Sequence, residues 1–132
     1  MNKIILFLFS ILFLQFFSCT GDNIAEIGEY SEVEFDEVID MGTVVKGEII
    51  KTTIELKNIG DYPLVIANVK PSCSCTVPEY DQEPVPPGSS ASISAEINTD
   101  RIGTGQLTKT VNITANTRPS TMEVTIKANV ID

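Results

Sequence analysis

Histidine and tryptophan are both absent from the 132 residues, and each absence removes a class of function. Without histidine the chain has no side chain that titrates near neutrality for general acid–base work, and it lacks the commonest metal ligand. Without tryptophan, carbohydrate recognition by indole stacking is not available, although Tyr30, Tyr62 and Tyr80 remain. Positive charge is scarce: 9 lysines and arginines stand against 18 aspartates and glutamates. A chain this acidic repels nucleic acid and anionic lipid headgroups, which argues against a nucleic-acid partner and against a basic membrane-docking patch. Three cysteines cannot build the dense disulfide framework of a small secreted scaffold, so an apolar core must hold the fold. No serine or threonine has a base to activate it, and no glycine-rich loop precedes a helix. Neither an enzyme nor a cofactor is expected.

What the chain does have begins at its N-terminus. Lys3 is followed by an apolar run from Ile4 to Phe17, interrupted by Ser10 and Gln15 and closed by Ser18-Cys19. The run is shorter than the roughly 20 residues of a membrane-crossing helix and has the build of a cleaved export signal. Its end, Phe16-Phe17-Ser18-Cys19, resembles a bacterial lipobox, in which a small residue precedes a cysteine that is lipidated and becomes the mature N-terminus. The expected division is a lipoprotein-type signal over 1–18, a flexible acidic tether over 19–33, and a folded domain over 34–132. Lys3 is the sole charged residue before Cys19, so the exported part would carry a net charge of −10. The composition of the tether, rich in Gly, Asp, Glu and Ser, suits a solvated linker. Glu32, Glu34, Asp36 and Glu37 lack the spacing of a calcium loop and read as part of its solvated charge.

Beyond the tether the hydrophobic period is two. Ile50, Thr52, Ile54 and Leu56 alternate with Lys51, Thr53, Glu55 and Lys57, which predicts a half-buried strand. Ala91 to Ile97, Val111 to Ala115 and Met122 to Val130 alternate in the same way. The run Leu64-Val65-Ile66-Ala67 predicts a strand buried on both faces. Turn signals lie between them, at Asn58-Ile59-Gly60-Asp61, at the proline-rich Asp81 to Gly88, at Asp100 to Gly105 and at Asn116 to Ser120. Gly60 and Gly88 stand where turns commonly need positive φ. No segment has a helical period. Short strands at roughly 8–12-residue intervals predict an all-β, immunoglobulin-like antiparallel sandwich of about seven strands, folding as a monomer.

Three motifs in order then resemble one family. Phe35 to Gly47 reads FDEVIDMGTVVKG, Lys57 to Ile66 reads KNIGDYPLVI, and Ser72 to Pro78 reads SCSCTVP ahead of Pro84-Val85-Pro86-Pro87-Gly88. This order is similar to the DUF1573 family of bacterial exported proteins and lipoproteins, akin to the ASPM/SPD-2/hydin and major sperm protein domains. The resemblance covers about Glu34 to Val130. It implies an immunoglobulin-like sandwich and assigns no activity. The family usually has Gly in the middle of the cysteine motif, where this chain has Ser74, at which a left-handed backbone costs more.

Cys73-Ser74-Cys75 is the one constellation that could carry chemistry. In an extended strand residues two apart have α-carbons about 6.6 Å apart, near the upper limit of about 6.8 Å for a disulfide. A bridge needs a local turn, and a strained bridge would suit thiol–disulfide exchange. Two thiolates would suit Cu(I), whereas zinc wants more ligands than the pair offers. The bland alternative is a structural bridge or packing at a strand end. The expected function is a non-enzymatic, lipid-anchored envelope module that binds or scaffolds another envelope protein. It would attach to the membrane through Cys19 and use sheet edges or the loop Pro71, Ser72, Ser74, Thr76 and Val77. The alternative is a thiol-active domain working through Cys73 and Cys75.

Overall fold

The computed structural model describes residues 29–74 and 76–132. The expected signal, Cys19 and Cys75 lie outside the described residues. Among those described, eight strands form: β1 (Val33–Glu34), β2 (Val38–Val45), β3 (Ile49–Asn58), β4 (Ile66–Pro71), β5 (Thr76–Tyr80), β6 (Ser90–Asn98), β7 (Gly105–Ala115) and β8 (Thr121–Ile131). They make two four-stranded sheets, ordered β1-β3-β6-β5 and β2-β8-β7-β4. The all-β sandwich expected from the period-two pattern is the observed fold.

The core follows the alternation residue by residue. Ile54 and Leu56 from β3, Ile93, Ala95 and Ile97 from β6, Val111 and Ile113 from β7, and Val124, Ile126 and Val130 from β8 are essentially inaccessible. β3 pairs β6 without irregularity from Ile49↔Asn98 to Lys57↔Ser90, and β7 pairs β8 from Gly105↔Val130 to Thr114↔Thr121. An unbroken register keeps every second side chain on the inner face, because a one-residue slip would turn each of them to solvent.

Two details differ from the sequence reading. One pairing is parallel: β2 runs alongside β8 from Val38↔Thr125 to Val45↔Ile131, with a register shift between Asp40 and Thr43. The bulge falls at Gly42, whose φ of +67 is open to glycine. The second concerns Leu64 to Ala67. Leu64 and Ile66 are buried, but Val65 is half-buried and Ala67 exposed. Each sheet of the sandwich packs on one side only, so one face of β4 meets solvent, and its register irregularity between Ile66 and Asn68 leaves both Ala67 and Asn68 exposed.

The sandwich has two ends. At the entry end the chain arrives through Ser31, whose N–H donates to the Asn116 carbonyl at 2.8 Å. Ser31 is buried and Val33 pairs with Asn58, so the last residues of the segment read as tether join the sandwich. Their acidic alternation hid this, since only Val33 supplies an apolar side chain there. The far end holds Ile49↔Asn98 and Gly105↔Val130. A ten-residue β3 separates the ends by about 30 Å.

Candidate functional site

The KNIGDYPLVI motif builds the entry end. Asn58 is fully buried, and its side chain uses its whole hydrogen-bonding capacity. Its Oδ1 accepts from Ser31 Oγ at 2.6 Å and from the Gly60 N–H at 3.0 Å. Its Nδ2 donates to the carbonyls of Tyr62 and Val85, both at 2.9 Å. Buried polar groups need such partners to repay their desolvation. Asn116, half-buried, ties the end of β7 to the segment that leads into its neighbour β4: its Oδ1 accepts from the Val65 N–H at 2.7 Å and its Nδ2 donates to the Pro63 carbonyl at 2.9 Å. The Asn58–Gly60 contact is local to the expected turn, whereas Ser31 and Asn116 reach partners distant in sequence, which a turn signal does not report.

The two motif glycines serve different purposes. Gly88 has φ +80, as a turn glycine should. Gly60 does not have positive φ; a β-carbon there would stand 2.5 Å from the Glu32 backbone nitrogen. Its role is close approach of two chain segments, not turn geometry.

The cysteine motif follows β4. Pro71 ends that strand, half-buried, and Ser72 is exposed with its N–H donating to the Thr110 carbonyl and its Oγ accepting from the Thr110 N–H. Ser74 is exposed on a turn, and Val77 lies in β5 opposite Glu96. Thr76 is buried, so it contributes to the loop's interior and not to its surface. Cys73 is half-buried and disulfide-bonded. Thr76 Oγ1 lies 3.6 Å from Cys73 Sγ, and because a disulfide sulfur bears no proton, the hydroxyl donates. Thr76 also pairs with Ile97 near the far end of β6, so the loop sits away from the chain entry.

Thr99 closes the far end, donating through Oγ1 to the Glu48 carbonyl at 2.6 Å and to the Val45 carbonyl at 3.2 Å. On the outer face of the first sheet, Lys51 on β3 forms an ion pair with Glu96 on β6. Hydrogen bonding to Glu96 and its charge hold the Lys51 ammonium above its ordinary value. At the entry end the Arg118 guanidinium lies 3.7 Å from the centre of the Tyr30 ring. The acidic residues Glu32, Glu34, Asp36 and Glu37 are all exposed. Among the described residues no group of three acidic or cysteine side chains is placed to hold a metal ion. A shallow notch where β1 leaves β3 is lined by Glu34, Phe35, Asp36, Glu55 and Lys57.

Solved structures share this architecture. A protein of unknown function from Porphyromonas gingivalis W83 superposes with a TM-score of 0.69 at 22% identity, over 76% of this chain and 47% of its own. The Vibrio cholerae VesB protease matches with a TM-score of 0.60 at 11% identity, over 76% of this chain and 32% of its own. The chain thus spans about half of the first and a third of the second. The ASH/PapD-like domain 7 of human CEP192 matches almost whole, over 86% of this chain and 96% of the domain, with a TM-score of 0.58 at 13% identity. At these identities the likeness establishes the fold. No curated protein matches the chain. The family model described as "Protein of unknown function (DUF1573)" matches residues 33–130, from the first strand to the end of the last, and the chain belongs to that family.

Proposed function

We propose that this chain is an exported, lipid-anchored envelope module that binds another protein and catalyses no reaction. The observation that carries the reading is what the conspicuous motif residues do. Asn58, Gly60 and Gly88 are each used in holding chain segments together, and none converges on a site where a substrate could react. The surface left for function is then loop and strand edge. A lipid on Cys19 would tether the entry end to the membrane, and the loop from Pro71 to Thr76, which runs from beside Thr110 in the middle of β7 to Ile97 on β6, would stand roughly 15–25 Å along the sandwich from that end. Ser72 and Ser74 are its exposed members. With Cys19 lipidated, Cys75 is the remaining cysteine to bridge Cys73, and the bridge would stiffen the loop for recognition.

Two measurements test this. The Cys19→Ser variant should leave the membrane fraction and appear as soluble exported protein; unchanged partitioning into detergent would sink the anchor. A photo-cross-linker at Ser74 should give one discrete adduct with an envelope protein, and one at Ser92 should not. A second reading is thiol–disulfide exchange, supported by the half-buried disulfide sulfur of Cys73 beside the Thr76 hydroxyl. Rapid reduction of the bridge by millimolar dithiol, with turnover of a disulfide substrate, would favour it over binding.

A further inference from the structure

Three of the four outer strands carry a feature that discourages further pairing, and the fourth, β1, is only two residues long and leaves most of the edge of β3 open. β2 is bulged at Gly42, β4 has a register irregularity and ends at Pro71, and β5 contains Pro78. Bulges and prolines are how sheets blunt their edges. β3 has none of these. β1 covers it only at Lys57 and Asn58, so among the described residues its outer edge from Ile49 to Leu56 pairs with nothing. The chain before β1 leads away from that stretch, since Glu32 already bonds Ile59 and Gly60; after β1 it passes Phe35 and Asp36 beside Glu55 and continues as β2 in the other sheet without pairing with β3.

The hydrogen bonds fix which groups face outward. The N–H and carbonyl of Asn58 bond Ser89 and Gly88, on the β6 side, and the Glu48 carbonyl also points to that side, accepting from Thr99. Alternation then turns the N–H and carbonyl groups of Lys51, Thr53 and Glu55 to the open edge. Their side chains share the exposed outer face. Lys51 and Glu55 would bar most incoming strands, but they are symmetric about Thr53.

We infer that β3 pairs with β3 of a second copy, antiparallel and centred on Thr53, joining two four-stranded sheets into one of eight. The interface is isologous, as a two-fold axis requires. In this register Lys51 of each copy faces Glu55 of the other, and the outward N–H and carbonyl groups of residues 51, 53 and 55 are all used. Centring on residue 51 would set lysine against lysine, and centring on 55 would set glutamate against glutamate. Shifts to centres 52 and 54 leave Lys51 opposite Thr53 or opposite Lys57. β1 ends the edge at Lys57, so the pairing runs from Ile50 to Leu56, and Ile49 of the second copy, 57% exposed in one copy, meets the notch beside Phe35. The chain entries fall at opposite ends of the joined sheet. On one membrane the dimer would lie with its strands along the surface, with each disulfide loop towards the end at which the other copy's chain enters. That placement, though not the pairing, rests on the anchored reading above.

The test is exchange of charge in the full chain. Wild-type protein should run at twice the monomer mass in multi-angle light scattering at about 50 µM, whereas Lys51→Glu and Glu55→Lys should each run as monomers. Mixing the two variants should restore a dimer, since each glutamate then meets a lysine, and the double variant should dimerise alone. Thr53→Cys should oxidise to a covalent dimer at least tenfold faster than Ser92→Cys, because paired residues of this kind have α-carbons about 5.5 Å apart. Monomeric wild type, or single variants that dimerise like wild type, would overturn the pairing. A monomer that remained membrane-bound through Cys19 would overturn the pairing alone and leave the anchored module standing.

Discussion

Replacing Asn58 with alanine removes two donors and two acceptor contacts from a position sealed from water. Ser31 Oγ would lose its short hydrogen bond and the Tyr62 carbonyl its amide donor, while the Gly60 N–H would keep only the Glu32 carbonyl, and an unsatisfied buried group costs about 1–3 kcal/mol. The expected loss in a denaturant titration is about 2–4 kcal/mol; a loss below about 0.5 kcal/mol would show that water replaces the side chain. The two glycines should separate by mechanism. Gly88→Ala has open space but a left-handed backbone, so it should cost about 1–2 kcal/mol. Gly60→Ala meets the Glu32 nitrogen and should also loosen β1, seen as faster amide exchange at Val33 and Glu34. The turn at Gly88 was legible because its cause is local. The cause at Gly60 lies 28 residues upstream, which no local rule can see.

Strands were legible in proportion to how one-sided they are. β3, β6, β7 and β8 each bury one clean face, and the alternation in the sequence marks it. β2 escaped that logic: Val38 and Val45 are exposed, Ile39 and Met41 are half-buried, and the bulge at Gly42 breaks the period. Its parallel partnership with β8 could not be read from a pattern that reports faces and not neighbours. The stretch into β4 misled for the opposite reason, because four apolar residues in a row looked doubly buried where the sheet packs on one side only. Core positions predicted by alternation should carry the stability. Ile93→Ala, fully inaccessible on β6, should cost about 2–5 kcal/mol. Ser92→Ala beside it, exposed on the other face, should change stability by no more than about 0.5 kcal/mol. Equal effects would mean that the faces are misassigned.

For the whole molecule, the proposed function sets a lipid anchor at the entry end of the sandwich and leaves the disulfide loop towards the other end. The fold was legible in the chain, as was the family, through motifs whose residues turn out to serve the fold. Function was less so, because the same residues that identify the family are consumed in its packing, and binding surfaces made of loops and edges leave no fixed residue pattern. The acidity fits a module held near a membrane by lipid and not by charge. The central claim is therefore the anchor together with a bridged loop. Its most direct test is the intact mass of the exported protein from the membrane fraction, alkylated before and after reduction. The account predicts a chain beginning at Cys19 with acyl mass added, no alkylation before reduction, and two sites after it. A chain without lipid, or one whose cysteines alkylate at once without reductant, would contradict it.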